Sequence, residues 1–156
     1  HYSIKDITFS IIRNEFLKTK QYDQIMFQMF KDFNFDPKKF LKKIFISKNQ
    51  IIELEKKGHV IGLHSHNHPT NIISLNYDQQ FYEYKKNRYI LSKILKKPKN
   101  FFKSMSHPCG KYNQNTLDIL NKLKINIGFI ERMNYFRSHS NLNIPRQDHS
   151  DIISMI

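Results

Sequence analysis

The stretch that decides the fold is "GHVIGLHSHNHPT", residues 58–70, in which a short apolar run ends in a cluster of histidines. Gly58 ends a preceding helical pattern, and the apolar run after it has the length of a buried strand. Pro69 excludes one continuous helix through the histidines. The sequence therefore predicts a strand whose carboxyl end opens into a histidine-bearing turn.

Three histidines alternate along this turn, at His64, His66 and His68. Neutral imidazole is the commonest nitrogen ligand of zinc and related divalent metals. We expect His64, at the strand end, and His68, folded back by the turn, to face one point and bind one divalent metal. Zinc is favoured, with cobalt, nickel or manganese as alternatives. His66 is expected to have a surface or supporting role, and His59, just past the helix end, a structural one.

The composition is that of a folded, strongly basic chain. Of its 156 residues 39% are hydrophobic, and the 13 Phe and 8 Tyr argue against intrinsic disorder despite a formal charge of +13. This length is typical of one compact domain, so we expect residues 1–156 to form a single domain. The basic residues are dispersed in short runs, which indicates solvated surface rather than a specific nucleic-acid site. Cys109 is the only cysteine, so a metal must use nitrogen and oxygen ligands.

Membrane and targeting signals are missing from the sequence. No apolar run reaches the roughly 18 residues needed to cross a bilayer, and no stretch has the pattern of a signal peptide. We therefore expect no transmembrane segment, and the sequence slightly favours a cytoplasmic location. The oligomeric state is left open.

Helical and strand patterns alternate along most of the chain. They predict helices over 48–57, 76–97 and 113–124 and strands over 59–65, 100–105 and 125–130. Such alternation predicts βα units with parallel strands and a site at the carboxyl ends of the strands. An earlier helix is predicted over 20–33, in which Ile25, Met29 and Phe33, with Met26 and Phe30 beside them, form one apolar stripe; its Met and Phe side chains are expected in the core. The opening 16 residues fit either a strand or a helix.

The histidine turn resembles the polysaccharide deacetylase family (NodB homology, carbohydrate esterase family 4). The second motif of that family reads Gly-His-x-Ile-Gly-x-His-Ser/Thr-x-x-His-Pro. The matching positions in this chain are Gly58, His59, Ile61, Gly62, His64, Ser65, His68 and Pro69. Eight matches in one short stretch make this a specific signal.

Two later segments extend the resemblance to about residues 47–152. "SMSHPCGKYN", residues 104–113, is similar to the third motif of the family, through Pro108, Gly110, Tyr112 and Asn113. "NIPRQDHSDI", residues 143–152, resembles the Pro-Arg-x-Asp segment near the end of many members, through Arg146 and Asp148. The motifs occur in the order that the family has them.

The resemblance implies a fold and an activity. The expected fold is α/β, a distorted and incomplete barrel of (β/α) units with mostly parallel strands. The expected activity is metal-dependent removal of acetyl groups from an N-acetylated sugar or polysaccharide by hydrolysis of a carbon–nitrogen amide bond. The partner would be N-acetylated carbohydrate, with no specific nucleic acid.

The resemblance also implies roles for individual residues. His64 and His68 would be the metal ligands. The turn with Pro108, Cys109, Gly110 and Tyr112 would contact substrate and stabilise the oxyanion. Arg146 and Asp148 would tune the general base by charge pairing. The family's late Leu-x-His motif, source of the general acid, has no clear counterpart, and His149 is the candidate for that role.

The first motif of the family, Thr-Phe-Asp-Asp-Gly, is not matched. It supplies the metal-binding aspartate and the general base, whereas "ITFS", residues 7–10, has the Thr-Phe and neither aspartate. We therefore expect the chain to be a C-terminal portion of the domain, with the aspartates before His1, which would leave it inactive by itself. Ser106 replaces the arginine of the third motif, and Arg146 is the candidate for that positive charge.

Two other interpretations fit parts of the sequence. The His-x-His pattern of "LHSHNH", residues 63–68, is also typical of metal-dependent amidohydrolases and phosphoesterases, although residues 106–113 fit those enzymes poorly. A non-catalytic module that binds anionic glycan or nucleic acid would account for the charge, with the histidines as a vestigial or structural metal site.

Overall fold

The structure, a computed structural model, describes residues 3–131 and 140–147. Contacts along the chain group it into two units, His1–Ser47 and Lys48–Ile156. Among the described residues, none of the helices combines the length and the apolar character that crossing a membrane requires. The single domain expected over residues 1–156 stays a prediction.

The first unit is helical. Its elements are α1 (Ile4–Ile11), a π-helical turn (Ile12–Phe16), α2 (Thr19–Asp32) and α3 (Pro37–Ile44). At the start of α1 the Ser3 hydroxyl accepts the N–H of Asp6, and the Asp6 carboxylate accepts the N–H of Ser3. This reciprocal capping box stabilises the first turn, so the opening segment, which the sequence pattern left undecided, is helical.

The apolar stripe of α2 is exposed rather than buried. The helix is confirmed, but Ile25, Met29 and Phe33 are 46%, 40% and 77% exposed, so the predicted core position is wrong for Met29 and Phe33, whereas Met26 and Phe30 are half-buried. The periodicity identifies the helix and its apolar side, but it does not reveal whether another element covers that side. At the end of the helix Phe30 packs against Phe35, with 5.3 Å between ring centroids.

The second unit alternates helices and strands. Its elements are α4 (Lys48–Lys56), α5 (Tyr77–Leu95), β1 (Ser104–Ser106), α6 (Gln114–Lys122) and β2 (Ile127–Phe129), with 3-10 turns at Ile72–Ser74, Lys99–Phe101 and Pro108–Gly110. The three predicted helices and the last predicted strand are confirmed. The strand predicted over 100–105 is found later in the chain, as β1, because the first residues of the predicted range belong to a 3-10 turn.

Four segments of the described chain run parallel at the centre of this unit. β1 pairs with β2 in parallel, with Met105 opposite Gly128. On the other side of β1, Leu63 forms a parallel bridge to Met105, and on the other side of β2, Ile144 forms a parallel bridge to Phe129. The strand predicted over 59–65 is therefore reduced to a bridge at Leu63.

Parallel pairing brings the carboxyl ends of the four segments to one edge of the sheet. Beyond that edge, the segment at Leu63 continues into His64 and β1 into His107. β2 leads on to Glu131, and the segment at Ile144 leads to Arg146. The predicted α/β arrangement with parallel strands is confirmed. Closure into a barrel stays a prediction.

The core of the second unit fixes α5 against the sheet and α6. Its buried apolar members include Leu63, Ile72, Tyr84, Phe102, Met105, Ile119 and Leu120. Full burial of a Leu or Ile side chain is worth about 1.5–3 kcal/mol. The buried side chains of Gln80 and Thr116 add a polar link, in which the Thr116 hydroxyl donates to Gln80 Oε1 at 2.7 Å. Helix α5 is thus a fixed platform beside the edge of the sheet.

We expect Gly128→Ala to destabilise the second unit, because a Cβ at this position would overlap the carbonyl of Leu142. The segment cannot easily move away, since the Gly128 N–H donates to Asn141 and its carbonyl accepts from Ile144, both at 2.8 Å. Overpacking of this kind costs about 1–3 kcal/mol. Urea unfolding followed by circular dichroism measures the free energy of unfolding, with exposed Asn126→Ala as control. Equal values for Gly128→Ala and wild type would contradict the prediction.

Candidate functional site

His64 and His68 lie together at the turn after the first parallel segment. Their ring centroids are 4.7 Å apart, and the ring planes meet at 61°. The chain folds back through Ser65 and His68, whose φ angles are 60° and 52°. Left-handed conformations cost about 1–2 kcal/mol for residues other than glycine, so other contacts have to hold the turn. The two rings are brought together as expected, while metal binding itself stays a prediction.

The ring of His64 has Nε2 as the nitrogen that can bind a metal, because Nδ1 is hydrogen-bonded. Nδ1 lies 2.8 Å from the carbonyl oxygen of Ser106, and because a carbonyl only accepts, Nδ1 carries the proton and Nε2 the lone pair. Metal-ligating histidines commonly have their second nitrogen held in this way. Burial lowers the pKa of His64, the bond to Ser106 opposes it, and the charges of His68 and Arg146 lower the pKa further. The lowered pKa favours the neutral imidazole, which is the form that a metal requires.

A buried carboxylate on α5 holds the histidine turn. Glu83, which is 6% exposed, accepts the backbone N–H groups of His66 and Asn67 at Oε2, at 2.9 and 2.7 Å. Its Oε1 accepts the side-chain amide of Asn67 at 2.7 Å. One helical turn later, Asn87 Oδ1 accepts the N–H of His64 at 3.1 Å. Exposed His66 thus contributes its backbone, in keeping with a supporting role.

The predicted oxyanion turn, Pro108–Tyr112, follows β1 at the same edge of the sheet. Pro108 is buried and Cys109 is exposed. Cys109 and Gly110 have φ angles of 50° and 65°, and a Cβ at Gly110 would lie 2.9 Å from that of Glu131. The N–H groups of Gly110 and of the next residue donate to carbonyls within the turn, at 3.0 and 3.1 Å. These two donors are engaged, so an oxyanion would need another donor.

His107 links this turn to the last parallel segment, a role that the sequence did not reveal. It is 2% exposed, its backbone N–H donates to Phe129 at 2.8 Å, and its Nε2 donates to the Leu142 carbonyl at 2.7 Å. Its ring lies 4.9 Å from that of Tyr112, whose hydroxyl accepts the side-chain amide of Asn143 at 3.0 Å. The segment that leads to Arg146 is therefore fastened to the oxyanion turn.

The predicted catalytic residues are only partly described. Arg146 is exposed, and it is near enough to His64 for its charge to lower the pKa of that ring. Asp148 and His149 lie outside the described residues, so their roles stay predictions. Within residues 3–131 and 140–147, no three His, Cys, Asp or Glu side chains are grouped to hold a metal. In this part of the chain, the candidate ligands are the two imidazoles.

Glu83, Asn87 and His107 are the site residues that sequence reasoning missed. Glu83 is 17 residues from His66 along the chain, inside a helix whose pattern indicates only amphipathicity. A signal for His107 existed, because it directly precedes the matched Pro108. Its partner, the Leu142 carbonyl, carries no sequence information at all.

The comparisons with known proteins agree with this geometry. The family model described as polysaccharide deacetylase matches residues 7–128. The chain is similar to the Streptococcus pyogenes deacetylase PplD, solved in complex with acetate, with 25% identity, a TM-score of 0.58 and coverage of 65% of this chain and 44% of that one. No curated protein gives a significant match.

Two further solved structures resemble the fold. The BpsB deacetylase domain from Bordetella bronchiseptica has 17% identity and a TM-score of 0.56, with 67% of this chain and 49% of that chain covered. A de-N-acetylase from Aggregatibacter actinomycetemcomitans has 14% identity and a TM-score of 0.55, with 72% and 54% covered. The chain thus spans about half the length of these three structures. The family match begins earlier than the expected residue 47 and ends before the Pro-Arg-x-Asp segment.

In the metal-free protein, we expect the free energy of unfolding to fall as the pH drops below about 6.5, the ordinary histidine pKa. Burial, the main cause, lowers the pKa of His64 and His107, so in this range the unfolded chain binds protons that the folded chain does not. The loss ends once the pH is below the folded-state pKa. Urea unfolding between pH 7.5 and 5 in EDTA tests this. His107→Gln should flatten the curve, whereas His59→Gln on the surface should not; a parallel curve for His107→Gln would refute the assignment.

Proposed function

The chain belongs to the polysaccharide deacetylase family, and on this premise we propose that it forms part of a metal-dependent N-deacetylase. The substrate class would be an N-acetylated sugar or polysaccharide, from which hydrolysis of the amide bond releases acetate. The observation that carries the proposal is the pair His64 and His68, 4.7 Å apart at the carboxyl edge of a parallel sheet. The similarity to a deacetylase solved with acetate supports the same reaction.

The two imidazoles at this edge would supply two ligands of a divalent metal, and a carboxylate from outside the described residues would have to complete the set. The lowered pKa of His64 favours its neutral form, and its bond to Ser106 fixes the lone pair on Nε2. We propose that His64 and His68 bind zinc, with cobalt, nickel or manganese able to replace it. When bound, such an ion polarises an acetamide carbonyl and lowers the pKa of a bound water towards neutrality. The bond to Ser106 keeps the ring of His64 oriented throughout.

Other residues of the chain would act on charge and protons. A backbone N–H of the turn Pro108–Tyr112 other than those of Gly110 and Lys111, which are engaged, would donate to the oxyanion that forms when water adds to the carbonyl carbon. Arg146 and Asp148 would form the charge pair that sets the pKa of the general base. His149 would donate the proton that the leaving amine requires. The link from His107 to Leu142 supports this arrangement by fastening the segment before Arg146.

We expect His64→Ala combined with His68→Ala to abolish zinc binding, because both proposed ligands are removed. The loss of affinity should exceed the 10- to 100-fold, roughly, that changes in supporting residues cause. Isothermal titration of the purified chain with zinc measures the affinity. His59→Ala, which removes a surface histidine near the same turn, is the matched control and should bind zinc as wild type does.

We also expect acetate to be released from N-acetylated glucosamine oligomers by the metal-loaded protein that includes any residues encoded before His1, and not by this chain alone. The assay uses this chain and a version that includes any residues encoded before His1, each with added zinc or cobalt. Zinc binding through the two histidines without acetate release from any N-acetylated sugar would refute the deacetylase and leave the metal site standing. Binding of anionic polymer that survives the double substitution and weakens steeply with salt would instead indicate a non-catalytic binding module.

A further inference from the structure

We propose that Glu83 and Asn87, on one face of α5, are positioning residues that hold the histidine turn in its ligating shape before any metal binds. The role of His64 and His68 as ligands rests on the proposed function. The contacts that hold the turn do not depend on it. The two parts of the proposal can therefore be tested separately.

The two acceptors, Glu83 and Asn87, lie on α5, which is held in place by the core. Glu83 and Asn87 are one helical turn apart, so their side chains leave α5 on the same face. The helix between them cannot shift easily, because Tyr84 is fully buried. One turn earlier, buried Gln80 donates its amide to the Leu75 carbonyl at 2.9 Å. Sites built on such packed helices are held more accurately than sites built on loops.

The acceptors engage the backbone at the start and in the middle of the turn. Asn87 takes the N–H of His64, where the turn begins, and Glu83 takes those of His66 and Asn67, at its middle. Within the turn itself, the described residues show one further bond of this kind. The His68 N–H donates to the Ser65 hydroxyl at 3.1 Å. Helix α5 therefore supplies most of the restraint on this backbone.

This restraint acts on a backbone that would otherwise relax. Ser65 and His68 are both held at positive φ, a conformation that residues other than glycine avoid. If the N–H groups of the turn lost their acceptors, both residues would be able to return to ordinary backbone angles. The ring of His68 would then move away from that of His64. The shape of the turn thus depends on the carboxylate behind it.

The buried charge of Glu83 is explained by the same contacts. Between described residues, the ion pair present joins Lys97 and Glu55 at 3.0 Å, so Glu83 is not neutralised by a cation there. Its three bonds all come from N–H groups of the turn. Charge-assisted hydrogen bonds are shorter and stronger than neutral ones, which suits a carboxylate to holding several donors. Burying a carboxylate is costly without such partners.

Hydrogen–deuterium exchange of the metal-free protein tests the restraint directly. In wild type, the amides of His66 and Asn67 should be protected, because both donate to Glu83. Glu83→Ala removes their acceptor and should make both exchange faster. Glu53→Ala, which removes an exposed glutamate from α4, is the matched control and should leave the exchange at these two amides unchanged.

Zinc titration tests the positioning role. We expect Glu83→Ala to weaken zinc binding about 10- to 100-fold, the usual effect of losing a supporting contact. Glu83→Gln should lose less, because its Oε1 can accept both backbone N–H groups while its Nε2 donates to Asn67, whose amide can flip. Asn87→Ala should also weaken binding. A merely structural role would lower the free energy of unfolding and leave the zinc affinity of the folded protein unchanged.

Wild-type zinc affinity and wild-type exchange in Glu83→Ala would together overturn the proposal, and unchanged zinc affinity alone would overturn the positioning role. If Glu83→Ala does not fold, exposed Asn67→Ala removes one of the three donors to Glu83 and should give a smaller effect in the same direction. If wild type binds no zinc, the metal site and the positioning role fail together. In that case, the exchange experiment still decides whether Glu83 holds the turn.

Discussion

Parallel pairing is the constraint on which the site depends, because it requires short segments from distant parts of the sequence to end at the same level. Leu63 pairs with Met105, and Phe129 pairs with Ile144. A shift of one residue in any of these pairs would turn the side chains beyond it to the other face. Side-chain bonds reinforce the register: His64 bonds to Ser106 across the first pair of segments.

Loss of water contact has different consequences for the histidines and for the glutamate at this edge. Full burial of His107 and partial desolvation of the ring of His64, a residue that is otherwise exposed, lower their pKa and so favour the neutral imidazole, which keeps a nitrogen lone pair for bonding. Glu83 is instead surrounded by N–H donors of the turn. The same helix places Glu83 beside Tyr84. Burial is the main cause that raises the pKa of the tyrosine, and the negative charge of Glu83 is the second. The site thus combines imidazoles whose neutral form is favoured with one carboxylate that receives its hydrogen bonds from N–H groups of the protein.

Local features of the fold could be predicted from the sequence, and long-range ones could not. Asn76 and Asn113, the first residues of two predicted helices, cap α5 and α6 through their side chains, because a cap depends only on residues within one turn. The turn that brings His64 and His68 together follows from a strand end and a proline. The exposure of the apolar side of α2 could not be foreseen, since burial depends on which elements meet. Glu83 was missed because it lies far from the turn along the chain and two of its three donors are backbone N–H groups, which every residue type except proline supplies.

Because Glu83 binds backbone N–H groups, the side chains of the turn can vary more freely than its backbone. Glu83 accepts the backbone N–H of residue 66, and any amino acid except proline offers the same donor. His66 is exposed beside the two candidate ligands. Position 66 is therefore one where side chains can be exchanged beside the two candidate ligands while the backbone contacts to α5 stay intact.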